Sequence, residues 1–269
     1  AALSLGVMTG CGASGTTADS TGYSAENPLV LTLAHGLSET HTVHIAMTQF
    51  ADEVAEKTDG RIQVKIFPNG QLGSENENLE QLQAGVIAMT KVSAPGLATY
   101  NDAFNTFGLP YIFNDTDDFY HVMDSQEMQD FFLSTGDDGF VTLTYYTSGA
   151  RSFYTKDRAI RTPADLKGLK IRVPESQLYL DVWQALGATP VALALPELAL
   201  ALSNGTAEAQ DNATYHLVAN ATYDDIKYFS NINYMWMGCT MAANANTWNG
   251  LDPAVQEILK EQAKAAAKY

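Results

Sequence analysis

The chain has 269 residues, of which 31 are acidic and 15 are basic, so its formal net charge is −16. Proteins that bind nucleic acid need clustered lysine and arginine to displace counterions from phosphates, and this charge therefore argues against a nucleic-acid partner. The hydrophobic content of 46% is sufficient for packed cores, and the length favours two domains of ordinary size.

Residues 1–26 are predicted to be the remnant of a lipoprotein signal followed by a flexible tether. An apolar run ends at Cys11, and Met8, Thr9 and Gly10 before it resemble a bacterial lipobox, in which the cysteine is acylated. The polar, aperiodic stretch that follows is typical of a tether. We expect Cys11 to be lipidated and to anchor the protein to the membrane. The alternative is a buried helix, because the apolar run is too short to span a bilayer.

Strands and helices alternate from Leu29 onward. LVLTLAH is predicted to be a strand, and the helix after it has Val43, Met47 and Phe50 at helical spacing before it stops at Gly60. RIQVKIF alternates with a period of two and ends at a PNG turn, and the helix ENENLEQLQAG precedes the short strand VIAMTKV. This alternation predicts a parallel sheet with helices on its faces.

The middle of the chain contains the predicted boundary between two lobes. Residues 94–114 are aromatic and are predicted to form a loop under a cleft, and a single helix is predicted over residues 117–133. The apolar strand FVTLTYYT follows, after which basic residues concentrate between Arg151 and Lys170. We therefore place lobe I at residues 27–148.

Lobe II is placed at residues 149–229, where three predicted helices alternate with three short strands. One helix begins at PELALAL, with the proline in a position suited to a first turn. In residues 230–269 the long strand INYMWMGCTMAANA returns toward lobe I, and Cys239 within it is predicted to be a free buried thiol. Because the final helix is still strongly helical at Tyr269, we expect the chain to be truncated there, and likewise to begin inside a signal peptide.

Polar side chains accompany the strands of lobe II. They are Arg151 in TSGARSFYT, Arg172 in DLKGLKIRVPES and Asn212 in GTAEAQDNAT. Open α/β sheets bind ligands at the carboxyl ends of their strands, and two guanidinium groups with a side-chain amide suit an organic carboxylate. The sequence therefore predicts a binding protein for a small organic anion. The alternatives are a structural role for Arg172 and a solvated basic face for Arg151.

The same motifs resemble the substrate-binding subunits of tripartite ATP-independent periplasmic (TRAP) transporters, of the dicarboxylate-binding DctP type. The specific matches are TDGRIQVKIFPNGQLGSE and DLKGLKIRVPES, with GLPYIF, LPELALAL and AEAQDN in the same order. The resemblance implies an α/β, two-lobed, periplasmic-binding-protein-like fold with a ligand cleft between the lobes. It also implies an extracytoplasmic protein, periplasmic or lipid-anchored at the outer face of the cell membrane, that delivers an organic acid to the membrane subunits of a TRAP transporter.

The resemblance further implies that ligand-binding side chains come from both lobes, including the loop after the first strand. We expect them to be Arg151, Arg172, Asn212, His35, Ser38, Thr40, Leu195 and Tyr215. The family's motif differs around Asn212, because Ala209, Asp211 and Ala213 stand where glycine, glutamate and proline are usual.

The loop of residues 93–97 has no charged side chain. The sequence therefore predicts that the lobe I wall of the cleft carries little charge. Such a wall favours a monocarboxylate or keto acid of modest size as the ligand.

Metal, cofactor and enzyme functions find little support in the sequence. His41 and His44 are three residues apart near a helix start, but no carboxylate or cysteine at matching spacing completes a metal shell. We expect no metal and no cofactor, and we expect His41 to cap the helix or to line the cleft rim. There is no nucleophile elbow and no phosphate loop. The alternatives left open are a two-lobed solute receptor for an ATP-driven importer or sensor and, more distantly, a cleft enzyme.

Overall fold

A computed structural model describes residues 22–268 of the protein. The strands are β1 (Leu29–Ala34), β2 (Ile62–Phe67), β3 (Met89–Ser93), β4 (Phe140–Thr155), β5 (Lys170–Val173), β6 (Thr189–Ala192), β7 (Ala209–Ala213) and β8 (Tyr228–Asn244). The helices are α1 (Thr42–Lys57), α2 (Glu75–Gln83), α3 (Ala94–Leu97), α4 (Thr116–Met123), α5 (Gln126–Ser134), α6 (Gln177–Ala185), α7 (Leu198–Ser203), α8 (Thr214–Ala219), α9 (Ala245–Asn249) and α10 (Pro253–Ala266). Cys11 lies outside the described residues, so its lipidation stays a prediction.

The strands form one sheet in the order β2-β1-β3-β8-β4-β7-β5-β6. β1 pairs in parallel with β2 and β3, and β5 pairs in parallel with β6 and β7. β4 and β8 lie between these groups and are antiparallel to each other. β4 is also antiparallel to its other neighbour β7, and β8 is antiparallel to its other neighbour β3. The parallel groups confirm the predicted alternation, whereas the centre of the sheet is antiparallel because β8 returns across both groups.

Two lobes are built on this sheet, and both follow from where the apolar side chains are buried. Lobe I packs on β1–β3, with one core on each face of the sheet. Phe50 of α1 and Leu259 of α10 belong to the first of these cores, and Phe104 and Phe119 belong to the second. Lobe II packs on β5–β7, where Trp183 is fully buried. The fold is thus α/β and two-lobed, as the sequence predicts.

β4 and β8 run side by side from one lobe into the other. Their pairing extends from Phe140 opposite Asn244 to Thr155 opposite Tyr228. Their register shifts at the crossing, between Thr147 and Ala150, where Gly149 has a φ of +99°. An extra residue of this kind bends a strand and increases its twist.

Several local predictions need correction. The single helix predicted over residues 117–133 is wrong, because the Ser125 side chain accepts from the Met128 N–H and starts a new helix there. The predicted loop of residues 94–114 contains α3 and the 3-10 helix Asp102–Gly108. TPADLKG contains the 3-10 helix Pro163–Leu166 instead of an α-helix.

The prediction of a free, buried Cys239 thiol is confirmed. Among residues 22–268, no helix combines the length and the apolar character needed to cross a bilayer.

Candidate functional site

A cleft lies where the two lobes meet, at the carboxyl ends of parallel strands from both of them. Each of β1, β3, β5, β6 and β7 contributes side chains at its end or just beyond it, as expected of an open α/β sheet. These lining residues are Gly36, Leu37, Ser93, Pro174, Leu193, Leu195 and Asn212.

Hydrogen bonds join the two lobes around this cleft. The bonded pairs are Asn76–Glu175, Thr42–Tyr215 and His41–His216. The lobes therefore touch each other beside the cleft as well as through the sheet.

Arg172 of β5 lies in the cleft as a buried cation without an acidic partner. Only 4% of the residue is exposed, and its Nε and Nη2 atoms donate to the Leu193 carbonyl at 2.9 and 2.6 Å. No carboxylate among residues 22–268 lies within ion-pair distance of its guanidinium. Burial, and then the positive charge of Arg151, lower the pKa of Arg172 to about 10. This charge is therefore available to an anion that enters the cleft.

Arg151 of β4 lines the same cleft but is already paired. Its Nε atom lies 2.7 Å from the Asp211 carboxylate, and its Nη2 atom donates to the Asp211 carbonyl at 2.5 Å. Burial works against its charge, but Asp211 outweighs burial and raises the pKa of Arg151 above its ordinary value. Tyr234 donates to the same carboxylate at 2.5 Å. The aspartate that replaces the family's usual glutamate is therefore the internal partner of Arg151.

Asn212 is oriented by Arg151. The Nη1 atom of Arg151 donates to the amide oxygen of Asn212 at 3.0 Å, and the Ala213 N–H donates to the same oxygen at 3.1 Å. With its oxygen occupied, the Asn212 side chain keeps an NH₂ group that donates to no atom among residues 22–268. Arg172 and Asn212 together thus offer unused donors in one cleft.

The lobe I wall of the cleft is charged, so the predicted low charge of that wall is wrong. Lys91 of β3 is buried, and its Nζ atom lies 2.5 Å from the Glu75 carboxylate. The other oxygen of Glu75 accepts from the Ser93 N–H at 3.1 Å and from the Ser93 hydroxyl at 2.5 Å. Sequence reasoning missed the pair because Glu75 begins a helix and Lys91 is a single cation inside an otherwise apolar strand.

Both members of this pair are held in their charged forms. Burial opposes ionisation of Glu75, but Lys91 and the Ser93 hydrogen bonds lower the pKa of Glu75 overall. Burial likewise opposes the charge of Lys91, and Glu75 raises the pKa of Lys91 above its ordinary value. The wall therefore presents one carboxylate and one ammonium group, a neutral pair with donors and acceptors.

The loop after β1 approaches the cleft through residues other than those predicted. Gly36 and Leu37 line it, whereas His35 is fully buried and accepts the Leu37 N–H at its Nδ1 atom. Ser38 and Thr40 form a hydrogen bond with each other at 3.2 Å and do not line the cleft.

The remaining predicted residues are divided between two places. Leu195 lines the cleft beside Arg172. Tyr215 lies outside it, where its hydroxyl accepts from the Thr42 N–H at 2.7 Å. The prediction that His41 caps a helix is confirmed, because its Nδ1 atom accepts from the Val43 N–H at the start of α1.

Tyr146 and Cys239 form the floor of the cleft and are directly opposite each other in the β4–β8 pairing. Burial raises the pKa of both groups, so both stay neutral. A neutral thiol is a poor nucleophile, which makes Cys239 a packing residue. Within residues 22–268, no three His, Cys, Asp or Glu residues are grouped as a metal site requires.

A family model and several known proteins match this chain. The model of the family described as "Bacterial extracellular solute-binding protein, family 7" (DctP) matches residues 33–269. A similar protein of Salmonella typhimurium, the uncharacterized protein YiiZ, is 32% identical over 241 residues, which are 89% of this chain and 73% of that protein.

Solved structures are similar as well. One is a TRAP periplasmic solute-binding protein from Anaerococcus prevotii with bound D-glucuronate, at a TM-score of 0.86 and 29% identity, covering 89% of this chain and 78% of that one. Another is a TRAP periplasmic solute-binding protein from Sulfitobacter sp. NAS-14.1 with bound β-D-galacturonate. It has a TM-score of 0.85 and 28% identity, and the match covers 89% and 80% of the two chains.

Proposed function

We propose, because the chain belongs to family 7 of the bacterial extracellular solute-binding proteins, that its cleft binds a polyhydroxylated monocarboxylate of the hexuronate class. The protein is an extracytoplasmic receptor of the TRAP type, and it delivers an organic acid to the membrane subunits of such a transporter. Sugar acids bound by similar receptors support the choice of ligand class.

The observation that carries this proposal is the unpaired charge of Arg172. A buried guanidinium without a carboxylate partner is costly, and an entering carboxylate compensates it through charge-assisted hydrogen bonds. Asn212 supplies a further donor from the adjacent strand β7. Arg151, whose charge Asp211 already balances, holds Asn212 in place and adds positive potential.

The lobe I wall supports a ligand with hydroxyl groups. Hydroxyls both donate and accept, so they fit beside the Glu75 carboxylate and the Lys91 ammonium group without adding charge. A second carboxylate at this wall would find the charge of Lys91 already neutralised by Glu75, and a purely apolar tail would exclude water from this pair without replacing its hydrogen bonds. This argument favours sugar acids over dicarboxylates and over short keto acids.

Closure of the lobes over the ligand is the proposed binding mechanism. A ligand that contacts Arg172 on one side and the Glu75–Lys91 pair on the other favours the closed state over the open one. We place the flexible point at the irregular crossing of β4 near Gly149, which supports the lobe boundaries of 27–148 and 149–229, with residues 230–269 as the return. We also propose that Cys11 is acylated and that the protein binds its ligand without catalysing a reaction.

The test is isothermal titration calorimetry at pH 7.5 with D-glucuronate, D-galacturonate, succinate and pyruvate. We expect one or both hexuronates to bind at least tenfold more tightly than the two smaller acids. Arg172→Ala should abolish binding, and Arg172→Lys should weaken it because the forked donor geometry is lost.

Arg158→Ala provides a control that removes an exposed arginine of the same lobe. Binding of hexuronates that survives Arg172→Ala, or tighter binding of succinate than of either hexuronate, contradicts the proposal. NMR of the recovered ligand checks that it is unchanged.

A further inference from the structure

Two buried histidines from different lobes face each other beside the cleft. His41 precedes α1 of lobe I, and His216 lies on α8 of lobe II, 175 positions later. The Nε2 atom of His41 is 3.3 Å from the Nδ1 atom of His216, and the two rings are 5.0 Å apart between centroids. His216 lines the cleft, and His41 lines a second cavity, so the pair is part of the partition between these spaces.

The backbone determines which ring nitrogens carry protons. The Nδ1 atom of His41 accepts from the Val43 N–H at 3.1 Å, so the proton of a neutral His41 ring is on Nε2. His41 therefore donates to the Nδ1 atom of His216, and the proton of a neutral His216 ring is on its own Nε2.

An added proton has no free acceptor at this contact. On His216 it would occupy Nδ1 and point at the N–H of His41. On His41 it would occupy Nδ1 and point at the Val43 N–H. Either event replaces an attractive hydrogen bond with two facing donors.

The surroundings of the pair oppose positive charge as well. The titratable and charged groups around it are His35, His44, Lys91, Tyr146, Arg151, Arg172 and Tyr215. Tyr120, Asp124 and Lys268 line the second cavity together with His41. Three of the facing groups are permanent cations at neutral pH, and Glu75 and Asp211 already pair with two of these three.

We propose that the His41–His216 hydrogen bond is an acid-labile latch between the lobes, which holds the closed cleft at neutral pH and releases it when either ring is protonated. The Thr42–Tyr215 bond lies beside it and joins the same two segments. The latch rests on the proposed function in one respect, namely that lobe closure retains the ligand.

The direction of the pH effect follows from burial. Burial, then Lys91 and His44, lower the pKa of His41 from 6.5 to about 4. Burial and then His41 lower the pKa of His216 well below its ordinary value. In an open state both rings are solvated and take up protons near pH 6.5, so acid favours the open state. One such histidine makes closure about 30-fold less favourable at pH 5.0 than at pH 7.5.

The experiment compares the dissociation constant for D-glucuronate at pH 7.5 and pH 5.0. The sugar carboxylate stays ionised at both values, and we expect the wild-type constant to rise by at least about tenfold. In the double variant His41→Asn/His216→Gln neither side chain titrates and an asparagine still caps α1, so the rise should be below about threefold. In His216→Gln alone His41 still titrates, so the rise should be smaller than in the wild type without being abolished. His121→Gln, which changes an exposed histidine of α4, should match the wild type. A wild-type rise below threefold, or an equal rise in the wild type and the double variant, overturns the latch.

Two further measurements keep the test decisive. Tyr215→Phe removes the Thr42 bond and should weaken binding equally at both pH values, leaving the tenfold ratio intact. Small-angle X-ray scattering of the ligand-free protein should show expansion at pH 5.0 in the wild type and none in the double variant. If D-glucuronate fails to bind at pH 7.5, the proposed ligand class fails, while the scattering comparison still decides the latch.

Discussion

The Nη1 atom of Arg151 lies 3.0 Å from the amide oxygen of Asn212, and this contact leaves the Asn212 NH₂ group as the available donor. The arginine that the sequence places next to the ligand is thus also the group that orients its neighbour. The cleft thus contains two guanidinium groups in different states. Arg151 is paired with Asp211, whereas Arg172 has no acidic partner within ion-pair distance.

Removal of the partner of Arg151 tests this division. Asp211→Asn leaves a buried guanidinium without its counter-charge, and we expect the free energy of unfolding to fall by about 3 kcal/mol. Urea unfolding followed by circular dichroism measures the change. Asp225→Asn, which removes a partly exposed partner of Lys156 at 3.6 Å, should cost less than about 1 kcal/mol. Equal losses in the two variants would show that Asp211 does not balance a buried charge.

Replacement of Arg172 should separate stability from binding. Arg172→Met keeps much of the apolar volume and removes an uncompensated buried charge, so the ligand-free protein should gain about 1–3 kcal/mol of unfolding free energy. Calorimetry should detect no hexuronate binding to the same variant. A loss of stability on this substitution would mean that Arg172 is satisfied within the protein.

The charged wall of lobe I should control ligand choice. Glu75→Gln removes the negative charge near the far end of the ligand and frees Lys91, so we expect weaker hexuronate binding by about tenfold and tighter binding of succinate. Glu77→Gln is the matched control, because this residue lies on the same turn of α2 and its side chain only caps the helix. Succinate binding that does not change in Glu75→Gln would contradict selection by charge at this wall.

Two glycines allow the backbone at the crossing to be tested. A Cβ added at Gly149 or at Gly136 meets no atom within 4 Å, but only Gly149 has a positive φ, of +99°. Gly149→Ala should therefore cost about 1–3 kcal/mol of unfolding free energy through backbone strain. Gly136→Ala should be neutral or slightly stabilising. Thermal unfolding scans of both variants measure the difference, and similar values for the two would show that the strand relaxes around the side chain.

The sequence predicted the parts of the site that depend on local signals. Arg172 sits between two apolar residues of a short strand, and Asn212 is the next-to-last residue of another. Their positions therefore follow from strand boundaries and from the rule that open α/β sheets bind ligands at the carboxyl ends of their strands. His41 was expected at a helix start, where its ring indeed caps α1. The α/β class followed from the alternation of strands and helices, and the two-lobed architecture followed from the family resemblance.

The parts that were missed depend on residues far apart in the chain. Lys91 is satisfied by Glu75 across a helix-to-strand connection, and neither residue has a pattern that indicates the other. The partner of His41 is 175 positions away, so no spacing predicts it. The antiparallel centre of the sheet was also missed. The direction of β8 relative to the sheet depends on its pairing with β3 and β4, and the spacing of apolar residues along the chain carries no information about that pairing.

The two long strands that cross between the lobes restrict how the molecule opens. β4 and β8 are held to each other on both sides of the crossing, so neither can swivel by itself. Any rotation of one lobe relative to the other must bend β4 and β8 together about one axis. We therefore expect the proposed closure to follow mainly one hinge axis, so that the same residues return to contact each time the lobes close.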